Sequence, residues 1–209
     1  MHEPKQERAV KTRKAILHAA AEIFDECGYS GASISKIMTR ANVTQGGMYF
    51  HFKSKKGLAQ AVLAHQQDFV RLPDGTAGLQ WLIDLNFFLA QELQNNVLFR
   101  ASVRLAVEQG EFAGRDDTAY QEWVDQFYAH LCVARERGEL LPDVNEREFA
   151  NVLVAAYSGT QLFSNVASGR EDLQDRLLSM WRYLLPGIAT PQARAHLRMP
   201  EHARGLAAA

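Results

Sequence analysis

The sequence predicts an all-α protein with a small helical head at its N-terminus and a larger helical body behind it. Three observations carry this. Apolar residues recur at three- and four-residue steps along the chain, and no run alternates as a strand would. Capping residues and glycine stops punctuate the chain at helix-length intervals. The stretch LPDGTAG, Leu72 to Gly78, is dense in turn formers and separates two helical regions. The expected division is 1–54 for the head, 55–72 for a connecting helix and 73–209 for the body.

The first helix is expected from Glu7 to Cys27, with Ile16, Ala20, Ile23, Phe24 and Cys27 on one stripe and Gly28 as a left-handed stop. Ser33 caps a short helix whose Ile34, Ile37, Met38 and Ala41 share a face. Asn42 and Val43 make the turn to a third helix, capped by Thr44, and Ser54 caps a fourth. The second and third form a helix-turn-helix. In the body, Leu79–Leu93 is apolar nearly all round and should be central. Further helices are expected over Val97–Gln109, Tyr120–Arg137, Glu146–Ala167 and Asp172–Leu185, the last stopped by Pro186 and Gly187. A short helix from Ala193 should fray towards Ala209.

Charge and cysteine usage narrow the function classes. Residues 1–60 carry ten lysines and arginines against five acids; the remainder carries thirteen against nineteen. A basic head on an acidic body suggests different partners for the two parts. Cys27 and Cys132 are far apart, without metal-ligand spacing, and read as buried thiols of a reducing compartment. The charged N-terminus is no signal peptide, and no apolar run approaches a membrane span, so a soluble cytoplasmic protein is expected.

The head has a chemistry suited to DNA. Helix starts leave unpaired amides and a positive dipole end, often complemented by an acid or glutamine three residues after the cap. After Ser33, Thr44 and Ser54 those positions hold Lys36, Gly47 and Gly57. Either these caps merely lack a box, or phosphates complement them from outside, with Lys53, Lys55 and Lys56 nearby. Gly46 costs about 1 kcal/mol in a helix relative to alanine, and lets a backbone come close to a phosphate or base edge. Gln45 can reach a base edge, and Tyr49 can give its hydroxyl to a phosphate with its ring packed inside. His51 contacts either phosphate or nearby backbone. Met48, Phe50 and Phe52 are expected in the core.

The run GYSGASISKIMTRANVTQGGMYFHFKSKKGL resembles the DNA-binding signature of the tetracycline-repressor (TetR) family of bacterial regulators. The resemblance implies an all-helical homodimer that binds a palindromic double-stranded operator and leaves it when a small molecule enters the C-terminal domain. It places Ser33, Thr44, Gly46, Tyr49, His51 and Lys55 at DNA-contacting positions. Lys36 stands where the family usually has an acid, Gln45 where it often has a base, and Gly47 where alanine or serine is usual.

A sensor body needs an apolar cavity with a few polar anchors. Trp123, with Phe127 and Leu131 below it, and Phe87 and Phe88 on the central helix are candidates for its lining. On its residues alone Trp123 reads first as a plain core tryptophan. Thr160 and Gln161 interrupt an apolar face, which is costly unless they bond to something. LFRASVRLAVEQG followed by YQEWVDQF resembles the γ-butyrolactone receptor subgroup, whose members sense autoregulator lactones and related furans or butenolides. That resemblance implies Trp123 as a pocket wall, with Gln66 and Thr160 as hydrogen-bonding positions. It fits equally a pseudo-receptor answering to an antibiotic or its intermediates.

Two stripes are candidates for a dimer face: Val152, Ala156 and Phe163 on one late helix, and Leu173, Leu177 and Trp181 on the next. They could instead pack within one chain. The fourth helix, from Ser54 to about Arg71, joins head to body and is the expected lever of a ligand response. No phosphate loop, metal spacing or nucleophile–base pair is present, so neither enzyme, cofactor nor metal is expected. A ligand-independent architectural DNA binder is the other class, but it would not need a large apolar body with polar interruptions.

Overall fold

The computed structural model describes residues 5–64, 77–114 and 116–200. Within them lie ten α-helices. They are α1 Lys5–Gly31, α2 Ile34–Ala41, α3 Gln45–His51, α4 Lys55–Ala64, α5 Leu79–Asn95, α6 Val97–Val107, α7 Thr118–Glu136, α8 Glu146–Ser168, α9 Leu173–Ile188 and α10 Pro191–His196. The extended pairing among the described residues is a single bridge, Leu140 to Ala189. The chain divides into two units: Met1–Arg71 with Asn95–Asp116, and Leu72–Gln94 with Asp117–Ala209.

The first unit is built on α1. Its stripe of Ile16, Ala20, Ile23 and Phe24 is buried with Ile37 of α2, Met48 of α3, and Leu58 and Val62 of α4. Ala101 and Leu105 of α6 complete the same core. Residues 95–116, expected in the body, thus pack with the head. The reason is that α2 and α3, at eight and seven residues, are too short to cover a helix of 27. Gly28 is left-handed, as expected of a stop (φ 71°), but the chain resumes a helical turn beyond it to Gly31.

The expected caps form. The Ser33 hydroxyl accepts from the Lys36 amide (3.2 Å), Thr44 from Gly47 (3.3 Å) and Ser54 from Gly57 (3.0 Å). Asn42 ends α2 in the left-handed region (φ 52°), which asparagine tolerates, with its amide directed at Met38 and Thr39 carbonyls. Each satisfies donors or acceptors that a helix end leaves open.

In the second unit α5 buries residues all round, including Leu79, Leu82, Ile83, Leu85, Asn86 and Leu89. Asn145 caps α8 and left-handed Gly169 closes it. Arg135 ties the α7–α8 connection together, pairing with Glu146 (2.5 Å) and donating to the carbonyls of Leu141 and Val144. Pro186 does not stop α9, which runs on to Ile188. The carbonyl that proline leaves unbonded four residues earlier is that of Arg182, an exposed residue, so water can take it. Helix α10 starts at Pro191 behind a Thr190 cap, two residues earlier than expected. Cys27 and Cys132 are free and half-buried rather than core thiols.

Candidate functional site

In the head, α3 is anchored by Met48, fully buried, and by Phe52 just beyond it. The Arg13 guanidinium lies 5.0 Å above the Phe52 ring. The opposite face of α3 is open: Gln45 and Gly46 are exposed, Tyr49 is 47% exposed and Phe50 79%. Phe50, expected in the core, stands in solvent with the half-buried His51 ring edge-on at 5.0 Å. A seven-residue helix has only one side to bury, and Met48 takes it. A Cβ built at Gly46 would meet nothing within 4 Å, whereas one at Gly47 would touch only the Thr44 hydroxyl, at 3.5 Å. Internal packing therefore gives no reason for glycine at 46.

The cations of the head divide into engaged and open ones. Arg40 bonds to Glu22 (3.1 Å) and Glu26 (2.9 Å), which raises its own pKa and lowers that of Glu26. Lys55 is half-buried; its ammonium donates to the Ala32 carbonyl (2.9 Å) and sits 4.3 Å over the Tyr29 ring. Expected as a phosphate contact, it joins the start of α4 to the start of α2 from the inside. Lys36 is exposed and reaches the Gly31 carbonyl (3.3 Å), a bond that closes the corner before α2. Lys53 and Lys56 are exposed.

In the body, Trp123 is half-buried and meets Phe127 edge-on, ring centres 6.1 Å apart. Phe87 is buried and Phe88 half-buried on α5. Several neutral polar atoms are buried without a hydrogen-bond partner: both amide atoms of Asn86, Oε1 of Gln126, Nδ1 of His130, the Tyr157 hydroxyl, Oε1 of Gln161 and the Trp181 indole nitrogen. Gln126 and His130 are four residues apart on α7, and Tyr157 and Gln161 four apart on α8, so each pair shares a face of its helix. Burial pushes His130 below the ordinary histidine value and Tyr157 above the ordinary tyrosine value. Each thus keeps its neutral form at neutral pH. Such atoms cost about 1–3 kcal/mol each when left unsatisfied, so each of them calls for a partner.

Comparison with known proteins decides the family. Residues 16–62 match the family described as bacterial regulatory proteins, tetR family, and residues 76–190 match the tetracyclin repressor-like C-terminal domain. The chain belongs to the TetR family. The A-factor receptor protein of Streptomyces griseus is 41% identical over 98% of this chain and 73% of its own length. The TetR regulator TylP of Streptomyces fradiae has a solved structure with a TM-score of 0.79 at 39% identity, covering 91% of this chain and 92% of that one. A γ-butyrolactone receptor described as ArpA-like matches with a TM-score of 0.74 at 30% identity, over 90% and 93%. As in other TetR-family regulators, the helix-turn-helix of α2 and α3 is the DNA-binding element of a ligand-responsive repressor.

Several expected site residues of this TetR-family chain need correction. Leu173, Leu177 and Trp181 are fully buried inside the single chain, so they form its core and not a dimer face. The outward stripe is on α8: Val152 is 46% exposed, Phe163 61% and Val166 79%, with half-buried Ala156 and exposed Gly159 in register between them. Tyr183 of α9 is 82% exposed. Thr160 opens onto a depression of about 440 Å³ between α8 and α9, with Phe163, Arg176 and Tyr183 on its rim. Its hydroxyl reaches only the Met180 sulfur, at 3.8 Å. The inward polar residue of that pair is Gln161, 3% exposed. Gln66 lies outside the described residues. Asn86 carries a signal in the sequence after all, as a polar residue among Leu82, Ile83, Leu89 and Ala90 at helical spacing. Among the described residues no helix is long and apolar enough to cross a membrane, and no cluster of metal-ligating side chains occurs.

Proposed function

We propose that this TetR-family protein is a cytoplasmic repressor that binds a palindromic operator as a homodimer and is released by a neutral lactone, furan or butenolide signal. The observation that carries the ligand class is the set of buried, unpaired polar atoms on α5, α7 and α8. All are neutral amide, imidazole or phenol groups. They suit a small molecule with carbonyl and hydroxyl groups that neutral amides, an imidazole and a phenol can pair. Similarity to the A-factor receptor protein and to a γ-butyrolactone receptor supports the same chemistry. Asn86, Gln126, His130 and Gln161 would supply hydrogen bonds, and Trp123, Phe87 and Phe88 apolar walls. Gln66 is retained as a further donor.

On the DNA side, Gln45, Gly46, Tyr49 and the exposed Phe50 form the reading face, with Thr44, Ser33, Lys36 and His51 beside the backbone. Two such heads, one DNA turn apart, require a dimer. The α8 stripe of Val152, Ala156, Phe163 and Val166, with Tyr183 of α9, is its proposed face. Ligand releases DNA only if it prefers the conformation in which the heads misfit the operator.

The test is selection of palindromic duplexes from a random library, followed by titration of the complex with a panel of γ-butyrolactones, furans and butenolides. Release by at least one class is expected, and Trp123→Ala should abolish release while operator binding persists. A protein that binds its selected site identically across the panel, at saturating ligand, fits the pseudo-receptor or architectural reading instead.

A further inference from the structure

Two features of α3 work against the stability of the head, and both lie on one side of the helix. Phe50 is 79% exposed, and its ring meets only the edge of the His51 ring, centres 5.0 Å apart. Gly46 stands one helical turn earlier, also exposed. Water gains nothing from the aromatic ring, and glycine disfavours the helix. The core requires neither of them, since Met48 fills the inward place of α3 and is fully buried.

The two positions belong together. Residues four apart share a face of a helix. A helical side chain leans towards the N-terminus, so the surface beside residue 50 is the surface that residue 46 would cover. With glycine at 46 the helix presents bare backbone alongside an aromatic ring. Apolar contact requires heavy atoms within about 4.0–4.5 Å. That clearance is free, because no atom lies within 4 Å of where a Cβ at 46 would stand.

What suits this notch follows from what its residues lack. Phe50 has no side-chain donor or acceptor, so it repays neither a phosphate oxygen nor a polar base edge. Among the groups that base pairs present in the major groove, the C5-methyl of thymine is the apolar one, and phenylalanine is a side chain that meets it. The notch lies beside exposed Gln45 and half-exposed Tyr49, on the side of the second helix of a helix-turn-helix that faces away from the core.

We propose that Phe50, with Gly46 as the clearance beside it, is a specificity-determining residue that recognises one thymine methyl in each operator half-site. The inference rests on the operator reading proposed above and names a chemical group that is read there. Gln45 and Tyr49 offer polar groups on the same face. Hydrogen bonds treat thymine and uracil alike, whereas contact with the methyl tells them apart.

The experiment uses full-length protein and the palindromic duplex that the wild type selects from a random library. Each thymine of the half-site is replaced in turn by deoxyuridine, symmetrically in both half-sites. This removes a methyl and keeps every hydrogen-bonding group. At one thymine, wild-type affinity is expected to fall about fourfold per half-site, the worth of one buried CH₂-sized group, and so about 15-fold for the palindrome. Phe50→Ala should lose a similar amount on the thymine operator. It should then bind the thymine and deoxyuridine forms within about twofold of each other, the error of such a double-mutant cycle. Alanine is the best helix former and Phe50 stands in solvent, so this variant should melt with the wild type. Phe50→Leu, which keeps an apolar side chain, should retain most of the discrimination.

Wild-type indifference to deoxyuridine at every thymine overturns the proposal, and needs no variant to be seen. A selected half-site without thymine does the same. So does Phe50→Ala protein that keeps the wild-type thymine-to-uracil ratio, with or without a uniform loss of affinity; a uniform loss marks a contact with the sugar–phosphate backbone instead. A wild type that selects no duplex overturns the operator reading beneath it as well.

Discussion

The indole of Trp81 lies flat against the imidazole of His130, ring centres 3.5 Å apart and planes 5° from parallel. The stack ties α5 to α7 and holds His130 where burial disfavours its charged form. The sign of the pH effect follows. Below its ordinary value of 6.5 the unfolded chain binds a proton that the folded chain resists, so stability falls as pH falls. Urea midpoints at pH 7.5 and 5.5 should therefore converge in His130→Gln relative to wild type. An unchanged difference between the two pH values would remove His130 from the acid response.

Gly46 and Gly47 should separate in their effects. Neither position is crowded, so alanine at either should raise head stability by up to about 1 kcal/mol. At 46 the new methyl would project from the open reading face, and operator affinity should drop by about tenfold, a loss of the size of one good contact. Gly47→Ala should leave affinity within about twofold, far below such a contact. Thermal melts paired with binding titrations check both.

Phe163 and Leu177 should also part company. Phe163→Glu places a charge on the outward stripe, and the variant is expected to sediment as a folded monomer with unchanged helicity. Leu177→Ala empties part of the core and should cost about 2–5 kcal/mol without addressing the dimer directly. Sedimentation and denaturant unfolding distinguish the two. Dimeric Phe163→Glu would move the interface elsewhere.

Gln161→Met should make the ligand-free protein more stable, because an unpaired buried amide oxygen disappears and the volume is nearly kept. The same change should weaken release by an effective lactone, since a hydrogen-bonding group is gone. A variant that loses stability and keeps its ligand response would contradict the placement of Gln161 in the pocket.

What could be read from the sequence was what is decided locally. Ser33, Thr44 and Ser54 act on amides three residues away, and all three caps stand where the residue types place them. Helical periodicity likewise fixes which residues share a face, as with Ile16, Ala20, Ile23 and Phe24. It does not say what a face meets. Leu173, Leu177 and Trp181 share a stripe that suits an interface or an interior equally, and they went inside. Phe50 suits a core by hydrophobicity, yet its neighbour Met48 holds the only inward place on a short helix. The allegiance of α6 depended on contacts some 80 residues apart in the chain, such as Glu108 to Tyr29 (|i−j| = 79), which no local pattern encodes.

The interleaving of the two units has a practical corollary for building hybrid regulators. Exchanging heads between relatives is usually imagined as one cut in the linker after the fourth helix. Here a single cut would hand the new head an α6 evolved for another α1. It would leave the apolar flank of Ile16 and Phe24 facing unmatched partners for Ala101 and Leu105. A graft that carries 95–116 together with the first 71 residues preserves that fit, at the expense of two further junctions. By the same logic a fragment ending near Arg71 is a poor choice for studying DNA reading in isolation, because part of its interior is supplied from beyond the cut.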